Sequence, residues 1–174
     1  MDARAMVRAA MDTNHHILEG TMEGVTQEVA HWSPPGNPVP VGANYAHILM
    51  GEDFLLSGLR GVQPLGMTTF AGKMGISEPP PDPGAAWDAW ARRIKVDVAQ
   101  LRAYAQAVYA STDAYLASAS QADFETVGEH PLSPVVPPMS KVAFVSNVLL
   151  GHVANHCGEI STVKGLQKLK GYPF

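Results

Sequence analysis

Two histidines and a glutamate near the end of the chain have the types and spacing that metal chemistry requires. His152 and His156 are four residues apart, and Glu159 follows one turn later. On a helix, side chains at i and i+4 point the same way, so two ring nitrogens can bind one ion at about 2.0–2.1 Å. We interpret the pair as candidate metal ligands. Glu159 is a candidate catalytic group, which orients a ligand imidazole or acts as general base.

The same three residues fall on an apolar stripe of the predicted helix. A heptad pattern places them on the core face, together with Val142, Val145, Leu149, Val163 and Leu166. Seven histidines distributed at random would give about 0.3 such pairs, so the spacing alone is weak evidence. The position carries more weight, because unpaired ionisable groups are unfavourable in a core and a metal ion would satisfy them.

A catalytic ion of this kind needs a third protein ligand from another helix. The candidates are His15 and His47, the latter in the mostly apolar segment ANYAHILMGEDFLL. Counting 1.5 Å per residue in an up-down-up-down bundle puts His47 at about 8 Å from the shared end, His15 at about 24 Å, and the pair His152 and His156 at about 20 and 26 Å. The count favours His15, but a crossover topology would change the levels, so both remain open.

Further polar residues accompany these candidates. Asn155 lies beside both histidines on the helical wheel, and Asn44 lies one turn before His47. We assign both, and His15, to substrate binding or to the outer shell of the site. Cys157 points about 100° away from His156 and is interpreted as a packing residue. The segment GMTTFAGKM departs from a phosphate-binding loop in its glycine spacing and in the Met after Lys73.

The glycines and prolines divide the chain into segments that would position these side chains. They concentrate in 33–42, 61–84 and 130–138, which leaves four long segments near 2–31, 42–60, 84–119 and 139–170. Each is rich in helix-forming residues, and we predict four helices. Asp82 and Pro83 would begin the third helix, and Gly171 would end the fourth.

The third segment shows the clearest apolar stripe, with steps of three or four from Trp87 and Trp90 to Val108. Four amphipathic helices without strands predict an all-α four-helix bundle. Its long connection between the second and third helices would cross over an end. We expect one domain over 1–174.

Composition excludes several classes of protein. The 174 residues carry a net charge of −4, with no basic stripe that could follow a phosphate backbone, so we expect no nucleic-acid partner. No apolar run is long enough for a membrane span, and we expect no membrane partner. A single cysteine and an amino terminus without an apolar core favour the cytoplasm.

Three motifs together resemble the DinB-like superfamily of four-helix bundles, which includes the bacillithiol S-transferases and the mycothiol-dependent maleylpyruvate isomerases. They are HWSPPGNP after the first helix, NYAHILMGED at the second and GHVANHCGEI on the last. The resemblance implies a metal held by one histidine of the second helix and two, spaced by four, of the last. Those positions are His47, His152 and His156, which overrules the level count.

The resemblance also sets the expected function. It implies an enzyme that holds Zn²⁺ or Ni²⁺ with an open position and acts on a small-molecule substrate, in transfer of a low-molecular-weight thiol or in hydrolysis. One alternative is a noncatalytic binding or dimerisation module, a possible homodimer, with the histidines as a structural cluster. The other is a metal-free pocket for a small ligand. Fold similarity alone does not decide among them.

Overall fold

The computed structural model describes residues 2–36, 38–81 and 87–174, and these are mostly helical. The long helices are α1 (Ala3–Thr21), α3 (Val41–Arg60), α5 (Val98–Ser118) and α8 (Leu150–Leu166). Short helices are α2 (Gln27–His31), α4 (Trp87–Arg93), α6 (Gln121–Glu125) and α7 (Lys141–Ala143), with a 3₁₀ turn at Leu65–Met67. The strands β1 (Val127–Gly128) and β2 (Met139–Ser140) pair antiparallel. The predicted all-α class is confirmed.

Hydrogen bonds between helices give their directions. Along α1, successive residues bond to successively later residues of α8. They bond to successively earlier residues of α3 and α5. The bonded pairs are Asn14–Leu150 and Thr21–Cys157 for α8, His15–Glu52 and Glu19–Tyr45 for α3, and Arg8–Asp113 and Met22–Arg102 for α5. Thus α1 and α8 run one way, and α3 and α5 the other. The predicted crossover between the second and third helices is confirmed, and the up-down-up-down order assumed in the level count is wrong.

The first predicted segment, 2–31, is two helices rather than one. The α1 helix ends at Thr21, Gly24 adopts a positive φ of 72°, and Thr26 caps α2 by accepting a bond from the Val29 amide. Lys164 of α8 donates to the carbonyls of Thr21 and Glu23 at 2.5 and 2.9 Å. This cation satisfies carbonyls that the end of a helix leaves unpaired.

The third predicted segment, 84–119, is also interrupted. Val96 forms a β-bridge with Ile76 between α4 and α5, and Asp97 then caps α5 by accepting from the Gln100 amide at 3.0 Å. The predicted start at Asp82 and Pro83 lies outside the described residues. The apolar stripe is nevertheless buried, because its residues face the core on both sides of the bridge.

The fourth predicted helix ends earlier than Gly171 and has an irregular beginning. It ends at Leu166, because Lys168 adopts a left-handed φ of 61° and the Leu169 amide donates back to the Lys164 carbonyl. Between α7 and α8, residues Phe144–Leu149 form a π-helix, so the helix is continuous from 141 to 166. A π-helix has more residues per turn than an α-helix, so the positions that face the core after it are shifted along the sequence.

Beyond Leu149, the predicted core face of this last helix is confirmed at Val163 and wrong at the other positions. The buried positions that follow are Val153, Cys157, Ile160 and Val163. His152 and His156 are only partly buried, while Glu159 and Leu166 are exposed. The two histidines therefore lie on the flank of the core, where they face α3. Cys157 takes the core position, in agreement with its assignment to packing.

The crossover connection is fixed to the bundle by one buried carboxylate. Asp53 of α3 accepts from the amides of Leu65 and Gly66 at 3.0 and 2.8 Å and from the Tyr104 hydroxyl at 2.6 Å. The 3₁₀ turn is thereby held against α3 and α5. None of the helices in the described ranges is both long and apolar enough to span a bilayer.

Candidate metal centre

Three imidazoles meet between α3 and α8. His47 lies in the second turn of α3, and its Nε2 is 3.0 Å from Nε2 of His152. His156 completes the group, with its ring centroid 4.7 Å from that of His47 and 4.6 Å from that of His152. One potential ligand atom from each ring lies within 4.8 Å of the others, and among the described residues no other group of three or more His, Cys, Asp and Glu side chains is so arranged.

A glycine makes room for this convergence. Gly51 lies one turn after His47 on α3, and a Cβ added there would be 2.6 Å from Cε1 of His152. Real Cβ atoms do not approach so closely, so any larger residue would displace the imidazole. The segment containing Gly51 is otherwise rich in helix-forming residues, and we attribute the glycine at this turn to the space that the His152 ring occupies.

The carboxylate of Glu159 supports the group from behind. Its Oε2 accepts from Nδ1 of His156 at 2.7 Å and from Nδ2 of Asn44 at 2.9 Å. Asn44 is only 2% exposed. Because Nδ1 of His156 is occupied, its Nε2 remains free for an ion, which is the usual arrangement of a ligand imidazole with a carboxylate behind it. The Trp87 ring packs on His47, with centroids 4.4 Å apart.

The electrostatics of the site favour neutral imidazoles at His47 and His152. Burial, reinforced by the neighbouring His156, lowers the pKa of His47 to about 4. Burial and the same kind of repulsion from the other two rings lower the pKa of His152 to about 3. For Glu159, burial raises the pKa, but the bonds from His156 and Asn44 outweigh it, so the net pKa is lowered. At neutral pH the site therefore offers imidazole lone pairs backed by a carboxylate.

These residues fit a divalent transition metal. With Zn–N bonds of about 2.0–2.1 Å, a tetrahedral ion separates two ligand nitrogens by about 3.3 Å, close to the 3.0 Å found between His47 and His152. Nδ1 of His152 is buried and has no hydrogen-bond partner in the described part of the chain. An unpaired buried polar atom costs about 1–3 kcal/mol, so the fold sustains a penalty to bring these rings together.

The remaining predicted site residues divide into two groups. Glu159 contacts His156 directly and Asn44 holds Glu159, whereas Asn155 lies on the exposed side of α8. There it lines, with Glu159 and Val39, a surface cavity of about 490 Å³. His15 is not part of the group, because its Nε2 is 2.9 Å from the carboxylate of Glu52. The level count, which favoured His15, therefore selected the wrong residue: His15 does lie at the level of residue 151, since Asn14 bonds to Leu150 and Thr21 to Cys157, but its side chain contacts Glu52 and not the two histidines of α8.

Sequence reasoning missed several polar residues that the fold buries. Glu52 and Asp53 are both buried in α3, and Thr112 of α5 donates to Glu52 at 2.5 Å. The available signal was two adjacent acids in an otherwise apolar helix, since charges in such a segment are rarely buried without partners. The contact of Trp87 with His47 was also missed, because the tryptophan was interpreted only as part of the apolar stripe of the third segment.

Comparison with known proteins agrees with this architecture. A solved structure described as the conserved protein of locus from Enterococcus faecalis is similar, with a TM-score of 0.81 and 19% sequence identity over 95% of this chain and 97% of the other. At that identity the likeness shows the fold. No curated protein matches in sequence. The family model of the DinB superfamily matches residues 10–160, which include His47, His152, His156 and Glu159. The chain therefore belongs to the DinB superfamily.

Proposed function

We propose that this protein is a metal-dependent enzyme that acts in transfer of a low-molecular-weight thiol or in hydrolysis, with Zn²⁺ or Ni²⁺ held by His47, His152 and His156. The observation that carries the proposal is the convergence of three imidazoles, one of which is bound from behind by the carboxylate of Glu159. A set of three histidines is typical of catalytic sites, which keep a further position open, whereas structural sites are closed by four protein ligands.

A divalent ion held there supplies a Lewis acid that lowers the pKa of a thiol or water or polarises a carbonyl. Glu159 keeps the His156 ring in the tautomer that leaves Nε2 free. Its second oxygen, Oε1, makes no hydrogen bond to any described residue and faces solvent, so it can accept a proton from a substrate. Trp87 covers His47 and restricts the approach of water to that imidazole.

The cavity beside Glu159 is our proposed substrate subsite. It is lined mainly by apolar side chains, including Val39 and Val163, with Asn155 and Thr162 as polar groups. This combination suits a small molecule with an apolar body and few hydrogen-bonding groups. Cys157 is not a candidate nucleophile, because burial raises the pKa of its thiol, and the reacting thiol would come from a cosubstrate. A cytoplasmic location, where such thiols are abundant and reduced, fits this proposal.

Metal content tests the first part of the proposal. Protein purified without a histidine tag should contain about one divalent ion per chain by elemental analysis, and a His152→Ala, His156→Ala double variant should contain almost none. The matched control is His16→Ala, which removes an exposed imidazole of α1. A wild-type protein that stays free of metal after incubation with Zn²⁺ or Ni²⁺ would contradict the proposal.

The Glu159→Gln variant distinguishes an enzyme from a noncatalytic module that holds a structural metal. The metal-loaded protein is incubated with a panel of low-molecular-weight thiols and electrophiles, and product is detected by mass spectrometry. We expect turnover that falls at least about tenfold in Glu159→Gln, since a positioned general base typically contributes 10²–10⁴-fold. A loaded site closed by a fourth protein ligand, without turnover of any pair, would support the noncatalytic alternative instead.

A further inference from the structure

A second polar site lies on the opposite face of α3, between α1 and α5. Its centre is the pair His15 and Glu52, which the metal centre does not use. The Glu52 carboxylate is fully buried, and its two oxygens accept from His15 Nε2 at 2.9 Å and from Thr112 at 2.5 Å. A carboxylate so deep in the protein requires both partners, because an unpaired buried charge is strongly unfavourable.

The His15 imidazole is fixed in orientation from two sides. Glu52 holds one ring nitrogen, and the Tyr109 ring stacks on the imidazole face, with centroids 3.9 Å apart and an interplanar angle of 20°. His15 is 9% exposed, and its other nitrogen, Nδ1, has no hydrogen-bond partner among the described residues. That atom is not enclosed by protein, so it faces the cleft that His15 lines.

The cleft has a volume of about 380 Å³ and carries acceptors that remain unused. Glu19 accepts the hydroxyls of Tyr45 and Tyr109 on one oxygen, Oε1, at 2.7 and 2.8 Å, which leaves Oε2 without a partner in the described ranges. Asp12 makes neither a hydrogen bond nor an ion pair there. Residues 12, 15 and 19 are three or four positions apart, so their side chains lie on one face of α1.

The charges of the cleft do not cancel. Arg8 is neutralised by Asp113, to which it donates two hydrogen bonds at 2.5 and 2.9 Å. Asp12 is also near Arg8, but among the described residues neither Asp12 nor Glu19 forms an ion pair of its own, so these two negative charges exceed the single positive charge that Asp113 already pairs. The cleft therefore presents negative charge and unused acceptors, together with the apolar side chains of Met11 and Leu116. A ligand that complements it is positively charged, carries only donors and has a short aliphatic part.

We infer that this cleft binds a small organic ammonium ion, which donates hydrogen bonds to His15 Nδ1 and Glu19 while its alkyl chain packs on Met11 and Leu116. The site is separate from the metal centre, because α3 lies between them and His47 and Glu52 project from different faces of that helix. The inference therefore does not depend on the proposed metal chemistry.

The test uses n-butylammonium as the probe and n-butanol and butyrate as neutral and anionic analogues of the same chain length. Binding is followed by the NMR signals of the His15 ring, assigned by comparison with His15→Gln. We expect n-butylammonium to shift those signals at concentrations where the two analogues do not. Asp12→Asn and Glu19→Gln should each weaken binding about threefold, the size of a partly exposed ion pair.

The control is Glu28→Gln, which removes an exposed carboxylate of α2 outside the cleft and should leave the affinity unchanged. Asp12 is itself exposed, so its variant is expected to fold even if Glu19→Gln does not. Equal binding of n-butanol, or unchanged affinity in Asp12→Asn, would overturn the inference and leave the His15–Glu52 pair as a structural link. Loss of n-butylammonium binding after chelation of metal would also overturn the inference, because it would place the binding site of the probe at the metal centre.

Discussion

At the scale of single residues, the metal centre depends on the missing side chain of Gly51 as well as on the three histidines. The three imidazoles approach because Gly51 leaves space for the His152 ring, and one of them is oriented by a carboxylate that Asn44 also holds. These two supports act on different rings. They can therefore be removed separately, and each has a distinct expected effect on the affinity for metal.

Gly51→Ala tests the space beside His152. The added Cβ would lie 2.6 Å from the ring, so His152 must move, and we expect the affinity for Zn²⁺ to fall at least about tenfold in a competition titration, the lower end of the range for a disturbed metal shell. Gly151→Ala is the matched control, since a Cβ there meets nothing within 4 Å. Alanine is favourable in a helix at both positions. Equal affinities in the two variants would show that the space is not needed.

Asn44→Leu tests the support of Glu159 while it keeps the number and branching of the side-chain heavy atoms. The carboxylate would lose one donor while the bond to His156 remains, and we expect metal affinity to fall by about tenfold, at the low end for a residue behind the ligands. Circular dichroism should show an unchanged helix content. An affinity equal to that of the wild type would mean that Asn44 contributes only to packing.

At the scale of elements, the sequence predicted the helices better than their interruptions. The apolar stripe of the third segment is buried from Trp90 to Val108 as expected, because 3.6-residue periodicity reflects which face meets the core. The breaks after Thr21 and at Val96 were missed, although Gly24 and Asp97 are local signals for them. The π-helix before α8 left no such signal. It shifted the buried face to Val153 and Cys157, which a strict heptad could not anticipate.

The candidate ligands His152 and His156 could nevertheless be predicted from the sequence. The spacing of His152 and His156 does not depend on the exact core face, since any helix keeps i and i+4 together. The third position could not be derived from levels, because a level along the bundle does not say which neighbour a side chain faces, and His15 lies level with residue 151 but contacts Glu52. Only the resemblance distinguished His47 from His15, and the partners of His15 in α3 and α5 became visible only in three dimensions.

Asp53 offers a test at this scale, because it holds the crossover connection to α3 and α5. Asp53→Ala would leave two amides and the Tyr104 hydroxyl without an acceptor, and we expect a loss of about 3 kcal/mol in the free energy of unfolding by urea. Asp88→Ala, at an exposed position of α4, should change it by less than about 0.5 kcal/mol. Similar values for both variants would show that the connection does not need this carboxylate.

At the scale of the whole molecule, hydrogen bonds from tyrosine hydroxyls connect helices that also pack against one another through the apolar core. Tyr45 of α3 and Tyr109 of α5 both donate to Glu19 of α1, and Tyr104 donates to Asp53. Burial, with the neighbouring carboxylates, raises the pKa of all three tyrosines well above the ordinary value. The bundle is thus linked across its helices by groups that must keep their protons.

This arrangement predicts that stability is lost at alkaline pH. A raised folded-state pKa means that the folded protein binds more protons than the unfolded chain above about pH 10, so its stability is complete below that value and falls as pH rises. Tyrosinate absorbance near 295 nm should therefore show Tyr45, Tyr104 and Tyr109 ionising together with the loss of helical circular dichroism. Full ionisation of all five tyrosines in a chain that is still folded would contradict this expectation.

The most direct test of the account is to locate the metal itself. Crystals of untagged protein grown with Zn²⁺ are measured on both sides of the zinc absorption edge, and an anomalous difference map is calculated. We predict one strong peak per chain, within about 2.1 Å of a ring nitrogen from each of His47, His152 and His156. A map without a peak among these imidazoles, with the three rings hydrogen-bonded only to one another and to protein, would contradict the account.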